Sequence, residues 1–285
     1  MAENICKNND SIGTFKNNVP VFFINGNFKH FLYFSGMISQ DRRWDALAYQ
    51  SCFKRYELKY LLTQQQKDMI LKAMTPYMNL DKYGRTTIRN IYFDTDTYRL
   101  IRHSIEKPIY KEKLRLRSYQ TAGIQDHVFV ELKKKYNGIV YKRRISLQQN
   151  IAMDWISAKI PTPENSQIAR EIDYFLRYYG ALRPTVFLSY EREAFYCKDG
   201  SDFRVTFDDN LLCRREALTL DAEPGGESLL PPGQVLMEIK CSGGIPLWMV
   251  QVLSRANIYK TSFSKYGTAY QSMIFPELKG GQLNV

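Results

Sequence analysis

Cysteine is sparse in this 285-residue chain, and its placement suits neither disulfides nor zinc. Cys6, Cys52, Cys197, Cys213 and Cys241 are odd in number, scattered and never spaced Cys-x-x-Cys. That argues against a disulfide framework and a cysteine zinc site, and a reducing cytoplasm is the simplest location. Histidine is scarcer still. His30, His103 and His127 have no mutual spacing of a proton relay or zinc site, so surface or loop positions are expected. No glycine is followed by lysine, which excludes a Walker-type phosphate loop. The apolar stretch Val19 to Ile38 has the length of a membrane span, but Asn25, Gly26, Asn27, Lys29 and His30 interrupt it. No basic segment with a small-residue cleavage site precedes it, so neither stable membrane insertion nor a signal peptide is expected.

Negative charge is also short. Against 40 lysines and arginines stand 29 acidic residues, for a net charge of +11 and a pI near 9.3. Such a surplus implies an anionic partner, whether nucleic acid, membrane surface or phosphorylated small molecule, without choosing among them. What is present otherwise is ordinary: 44% hydrophobic and 24% charged residues describe a globular protein able to bury a sizeable core.

Asn25-Gly26 between aromatic runs reads as a hairpin turn. Met37 opens the better-patterned part, so residues 1–36 are expected to be dispensable for activity. The domain reading is an N-terminal appendage over 1–50, a catalytic domain over 51–275 and a tail over 276–285. Thr63 to Met78 predicts a helix, with a Thr63/Gln66 capping box and a stripe of Met69, Ile70, Ala73, Met74 and Tyr77. Further helices are predicted over Pro163 to Tyr179, stopped by Gly180, over Gln148 to Lys159, and from Pro246. Asp221 to Gln234, rich in proline and glycine, reads as a loop. Asp94 reads as a turn or capping residue.

The strands carry the signal. In Tyr110–Tyr119, "YKEKLRLRSY", a period of two puts Lys111, Lys113, Arg115 and Arg117 on one face and Glu112, Leu114 and Leu116 on the other. One such strand is what any solvated sheet edge gives. Yet the pattern recurs in "FKRYELKY", "VFVELKKK", "VYKRRISL", "LSYEREAF", "FRVTFDD" and "VLMEIK". Helices with apolar stripes need the apolar strand faces, which leaves the charged faces turned away from them. If the sheet closes into a barrel, Lys59, Arg115, Arg117, Lys133, Lys142, Arg144, Arg192, Arg204 and Lys240 meet Glu57, Glu131, Asp208 and Glu238 in its bore. Cations outnumber carboxylates nine to four in that set, an excess that calls for an anionic ligand. Carboxylates in turn suit the divalent metal that accompanies polyphosphates. In the run Lys133 to Lys135, Lys134 is expected to face outward.

The ordered blocks "ELKY", "NIYFDT", "LRLRSY", "FVELKKK", "YKRR", "LRPTVFLSYEREAF", "RVTFDDNL", "VLMEIK" and "SFSKY" make the chain resemble the catalytic domain of the vacuolar transporter chaperone (VTC) polyphosphate polymerases, members of the triphosphate tunnel metalloenzymes. The resemblance runs from about Phe53 to Tyr270. It implies an α+β fold with a closed, antiparallel, eight-stranded β-tunnel and flanking helices, transferring the γ-phosphate of ATP onto polyphosphate. By matched position, Lys59, Arg115, Arg117, Lys133, Lys142, Arg192, Arg204 and Lys265 are implied as catalytic phosphate contacts, Ser264 as a further phosphate contact, and Glu238 as the ligand of Mn²⁺ or Mg²⁺. Arg144 and Lys240 are read as substrate-binding. Lys111 and Lys113 are expected at the tunnel mouth, guiding the polyanion.

Two departures stand out. Arg55 occupies the first glutamate position of the Glu-x-Glu-x-Lys strand of the cyclase and thiamine-triphosphatase branch, which favours the polymerase branch; Ser262 stands where better-known polymerases are basic. No SPX domain or membrane helices are read here, so coupling to translocation is not expected. The alternatives are a triphosphate hydrolase in the same tunnel and a non-catalytic polyphosphate or nucleic-acid binder. The last is disfavoured because most tyrosines alternate opposite the charges as packing residues.

Overall fold

The computed structural model describes residues 56–280, which belong to one of two compact units of the chain, Tyr49–Val285. The hairpin at Asn25-Gly26, the N-terminal appendage, Arg55 and the last five residues lie outside the described residues.

Alternation and turn chemistry give the element order β1 (Tyr56–Thr63), α1 (Gln64–Met74), β2 (Met78–Asp94), α2 (Arg99–Ile105), β3 (Tyr110–Ser118), β4 (His127–Tyr136), β5 (Ile139–Gln148), α3 (Gln149–Ile156), α4 (Gln167–Tyr179), β6 (Arg183–Cys197), β7 (Arg204–Arg214), β8 (Glu227–Ser228), β9 (Gln234–Cys241), α5 (Leu247–Arg255), β10 (Lys260–Thr261) and α6 (Lys265–Ala269). From α6 a π-turn over Tyr270–Ile274 leads into α7 (Phe275–Gly280). The proline-rich run from Asp221 is a loop, except that β8 pairs with β7 inside it.

All strand pairings are antiparallel, in the order β10-β1-β9-β7-β6-β2-β3-β4-β5 with β8 attached to β7. The sheet therefore has ten strands rather than the expected eight, because β8 and β10 each add two residues of ladder. Hydrogen bonds do not close it either. β5 ends the path, and β10 already occupies the β1 edge at Lys59 and Tyr60, so no ladder joins β1 to β5. Side chains bridge that seam instead: the Lys133 ammonium of β4 lies 2.7 Å from Glu57 Oε2 of β1.

The outer face of the sheet is apolar and covered. Leu114, Leu116, Val128, Val130 and Leu132 pack with Trp155 of α3 and Ile172 and Phe175 of α4. Val205, Phe207, Val235, Met237 and Ile239 pack with Ile70 and Met74 of α1 and Met249 and Leu253 of α5. Each fully buried side chain of this size contributes roughly 1.5–3 kcal/mol.

The helices follow their caps. Thr63 accepts from Gln66 N at 3.2 Å while Gln66 accepts from Thr63 N at 3.0 Å, the reciprocal box expected from sequence. The buried stripe of α1 is narrower than expected: Met69 and Tyr77 are exposed, and the helix stops at Met74 because the chain turns into β2. Tyr77 stacks on Trp248 instead, with ring centroids 4.7 Å apart. Ser166 caps α4, and Gly180, at a φ of +72°, ends it.

Asp94 has a wider role than a local turn. Fully buried, it accepts from the amides of Thr95, Leu100 and Ile101 at 2.8, 2.9 and 3.0 Å and from the Tyr266 hydroxyl at 2.9 Å. It thereby fixes both α2, a short helix without a clear periodic signal, and α6.

Candidate active site

The inner face of the sheet divides in two. One half is apolar: Ile88, Tyr92, Val186, Leu188, Leu211, Cys213 and Leu236 are covered by Ile101 of α2 and by Tyr266, Ala269, Tyr270 and Ile274 of the C-terminal segment. The other half carries the charges. Alternation selects them strand by strand, so Glu57 and Lys59 (β1), Lys113, Arg115 and Arg117 (β3), Glu131 and Lys133 (β4), Lys142 and Arg144 (β5), Arg192 (β6), Asp208 (β7) and Glu238 and Lys240 (β9) face one another. Lys265, the first residue of α6, enters from the boundary between the halves.

Three carboxylates organise the cations. Glu131, only 1% exposed, meets Arg115 at 2.7 Å, Arg144 at 2.6 Å, Lys142 at 2.7 Å and Arg117 at 3.7 Å. Asp208 takes both arms of the Arg192 fork at 2.6 Å and the Lys265 ammonium at 2.6 Å. Glu238 lies among Lys265 at 3.3 Å, Lys240 at 3.4 Å, Lys59 at 3.5 Å and Arg192 at 3.7 Å. The expected repulsion in a cationic bore is thus relieved in part by shared carboxylates, each holding several cations.

Neutral groups complete the arrangement. Arg117 donates to Asn90 Oδ1 at 2.9 Å and to the Tyr190 hydroxyl at 3.0 Å; Arg115 donates to the Tyr92 hydroxyl at 3.0 Å. Asn90, Tyr92 and Tyr190 escaped the sequence reading because uncharged residues on an alternating strand look like packing. Lys59 donates to the carbonyl of Phe263 and Lys113 to Ser264 Oγ, both at 2.8 Å.

Burial and charge pull against each other here. Burial alone would raise Glu131 and Glu238, but the surrounding cations hold both well below the usual carboxylate range. Glu57 falls to about 2 because Lys133 and Lys240 outweigh its burial. The lysines show the converse. Burial pushes Lys142 down to about 7 despite Glu131, with Arg144, Arg117 and Arg115 adding to the fall. Lys113 is depressed well below its ordinary value by burial and by Lys59, Lys133, Lys111 and Arg115. Tyr190 drops to about 8, where Arg117, Arg192 and Lys265 overcome its burial.

Most residues picked from sequence converge here, with differences. Lys113 does not stand at the mouth: it reaches Ser264 beside the charged cluster. Lys111, further out, donates to the Ser104 carbonyl of α2 at 3.1 Å. Arg204 shares the Asp208 face and pairs with Lys240 across the ladder, but it is exposed at the strand's start. Lys134 faces outward to Glu112 at 3.8 Å, as expected, and Ser262 is exposed. His103 and His127 are exposed. Cys197 and Cys213 are buried free thiols, and Cys241 is buried as well.

Among the described residues no three His, Cys, Asp or Glu side chains gather into a preformed metal cage. Both Asp208 oxygens are taken by Arg192 and Lys265. Glu238, whose cations stand 3.3–3.7 Å away, is therefore the carboxylate that would offer a hard oxygen to Mg²⁺ or Mn²⁺, an ion that completes its shell with water and substrate phosphate. No helix among the described residues is long and apolar enough to cross a membrane.

A helix-backed antiparallel sheet whose inner face gathers arginine forks and lysines around a few carboxylates defines a polyanion-binding protein of the phosphate-tunnel type. The VTC domain model matches residues 54–274, and the chain belongs to that family. No curated protein matches it in sequence. Among solved structures, a candidate adenylate cyclase from Bacillus halodurans aligns at a TM-score of 0.46 and 15% identity, covering 74% of this chain and 96% of that one. A candidate adenylate cyclase from Vibrio parahaemolyticus aligns at a TM-score of 0.41 and 10% identity, covering 76% and 97%. Both are distant, and the assignment rests on the family match.

Proposed function

We propose that the protein is a cytoplasmic, metal-dependent polyphosphate polymerase that transfers the γ-phosphate of ATP to the end of a polyphosphate chain and releases ADP. The observation that carries this reading is the convergence of Lys59, Arg115, Arg117, Lys133, Lys142, Arg192, Lys240 and Lys265 on one inner face with Glu131, Asp208 and Glu238 among them. Phosphoryl transfer asks a protein for position and charge stabilisation more than for covalent chemistry. A terminal phosphate oxygen of the chain attacks the γ-phosphorus in line, the bond to the β-phosphate oxygen breaks, and the arginine forks and lysines stabilise the equatorial oxygens. The attacking phosphate is already ionised, so no strong base is required. Glu238 would hold a divalent metal, which when bound neutralises charge on the nucleotide phosphates. Ser264 and Lys113 sit where a phosphate oxygen would replace their mutual hydrogen bond.

One observation favours a second reading, hydrolysis of a triphosphate. The C-terminal helices fill the apolar half of the inner face, so a growing chain would have to leave by its entry or through the unladdered seam between β5 and β1. Purified protein incubated with ATP and Mn²⁺, with products resolved by chain length, separates the two. Long chains with ADP support the polymerase, free phosphate or pyrophosphate alone the hydrolase, and tight polyphosphate binding without turnover a binding module. Glu238→Gln should abolish metal-dependent turnover in a folded protein, and a fully active variant would sink the metal assignment.

A further inference from the structure

Where β3 ends and β4 begins, the rim of the charged inner face carries planar groups that phosphate binding does not need. Tyr119, just past the end of β3, is 41% exposed. Its ring meets Phe129 edge-on, with centroids 5.7 Å apart. The Arg144 guanidinium lies over both rings, 4.0 Å from the Phe129 centroid and 5.5 Å from that of Tyr119. Glu131 fixes it from below, with Arg144 Nε donating at 2.7 Å, and the Tyr119 hydroxyl accepts a further hydrogen bond from it. A guanidinium held in this way cannot swing to follow a mobile phosphate, but as a planar, delocalised cation it suits a further planar group.

The neighbouring surface is concave. Ser146 is the ladder partner of Phe129 and is exposed, and its hydroxyl lies 3.2 Å from His127 Nδ1. A cavity of ≈ 520 Å³ opens next to this pair, lined by His127, Ser146 and Gln148 together with apolar Leu147, Ile151, Ile160 and Pro161 rather than by Tyr119, Phe129 or Arg144, within the volume range of small-molecule sites. Glu131 joins Arg144 directly to Arg115, so the rim is continuous with the phosphate-gripping arginines.

We infer that this rim is a nucleoside subsite, where a purine base stacks on Arg144 and Tyr119 while His127 and Ser146 face the ribose hydroxyls. The inference rests on the triphosphate reading of the inner face and adds the source of its selectivity for a nucleotide over a bare phosphate chain. Stacking is tolerant of base identity, so purines are accepted with little discrimination between adenine and guanine.

Calorimetric titration of the full chain with ATP and with inorganic tripolyphosphate tests it. Tyr119→Ala, at an exposed site, should weaken ATP binding about tenfold and leave tripolyphosphate binding unchanged. Tyr119→Phe, which keeps the ring and removes the hydroxyl that holds Arg144, should bind both ligands like the natural chain. Equal weakening of both ligands by Tyr119→Ala, or no change for ATP, overturns the subsite. The same holds if Tyr119→Phe loses as much ATP affinity as Tyr119→Ala, because Tyr119 would then only position Arg144. If the natural chain binds tripolyphosphate but not ATP, the nucleoside subsite alone fails. If it binds neither, the triphosphate reading fails and takes the subsite with it.

Discussion

The two halves of the inner face are built from the same strands, often from residues two apart, yet they solve opposite problems. On β6 and β9 the alternation that points Arg192 and Glu238 inward also points Leu188 and Leu236 inward a little further along, and on β7 a bulge between Asp208 and Leu211 turns both of them inward. The apolar half is finished by the chain itself, through Tyr266, Tyr270 and Ile274. The charged half is not, since its cations share a few carboxylates among them. A surface completed by its own polypeptide contributes stability; one left for a ligand to complete stores binding capacity at some cost in stability.

That contrast can be broken by one substitution in each half. Arg117→Met removes a cation whose closest partners, Asn90 and Tyr190, are neutral, so the fold should tolerate it while turnover of ATP falls about 10³-fold. A variant that lost stability in step with activity would place Arg117 in the structural half instead. Ile274→Ala should do the reverse. Ile274 is fully buried against the sheet's apolar inner face, and its truncation should cost about 3 kcal/mol in a denaturant titration while tripolyphosphate affinity is unchanged. If phosphate affinity dropped equally, the halves would be mechanically one.

How far each half could be read from sequence follows from the same contrast. The charged half was legible because charge on an alternating strand is conspicuous: Arg115, Arg117, Lys133, Lys142 and Arg192 all face the common interior. Glu131 gathers four cations, a convergence that needs register across β3, β4 and β5 and has no local signature. The apolar half was not legible. Leu188, Leu211 and Leu236 look like any strand's buried residues, and whether helices lie over the inner or the outer face is a tertiary fact. Asn210 and the break in register between Ser189 and Glu191 mark where β7 changes from charged to apolar inside, a bulge that periodicity cannot announce. The open seam was missed for a related reason: strands imply ladders, but only assembly shows which edges stay unpaired.

Glu131 sharpens the comparison, because it is the charged half's internal substitute for a ligand. Glu131→Gln leaves four cations facing a neutral amide in a buried position. Discounting for the partial exposure of Lys142, Arg144 and Arg115, the loss should be about 2 kcal/mol. Saturating tripolyphosphate should then raise the melting temperature of the variant more than that of the natural chain, since the ligand restores the missing negative charge. An equal ligand-induced rise in both proteins would show that the anion binds elsewhere than among these cations.

The smallest effect expected is on pH dependence, and its sign follows from the lysines. Lys142 holds its proton only up to about pH 7 in the folded protein, against about 10.4 in an unfolded chain, and Lys113 is depressed in the same direction. Between these values the unfolded state binds more protons, so stability without ligand should rise as pH goes from 7 towards 10. Phosphate binding should run the other way. A polyanion favours the charged ammonium, so it draws protons in as it binds, and tripolyphosphate affinity should fall roughly tenfold from pH 7 to 9. Titration calorimetry at pH 8 in buffers of different ionisation enthalpy reads the uptake directly. A double Lys113→Arg, Lys142→Arg variant, whose guanidinium groups stay protonated throughout, should take up fewer protons on binding and show a shallower pH profile, what remains coming from Tyr190, Lys59 and Lys240. Uptake undiminished in this variant would remove both lysines from the phosphate site.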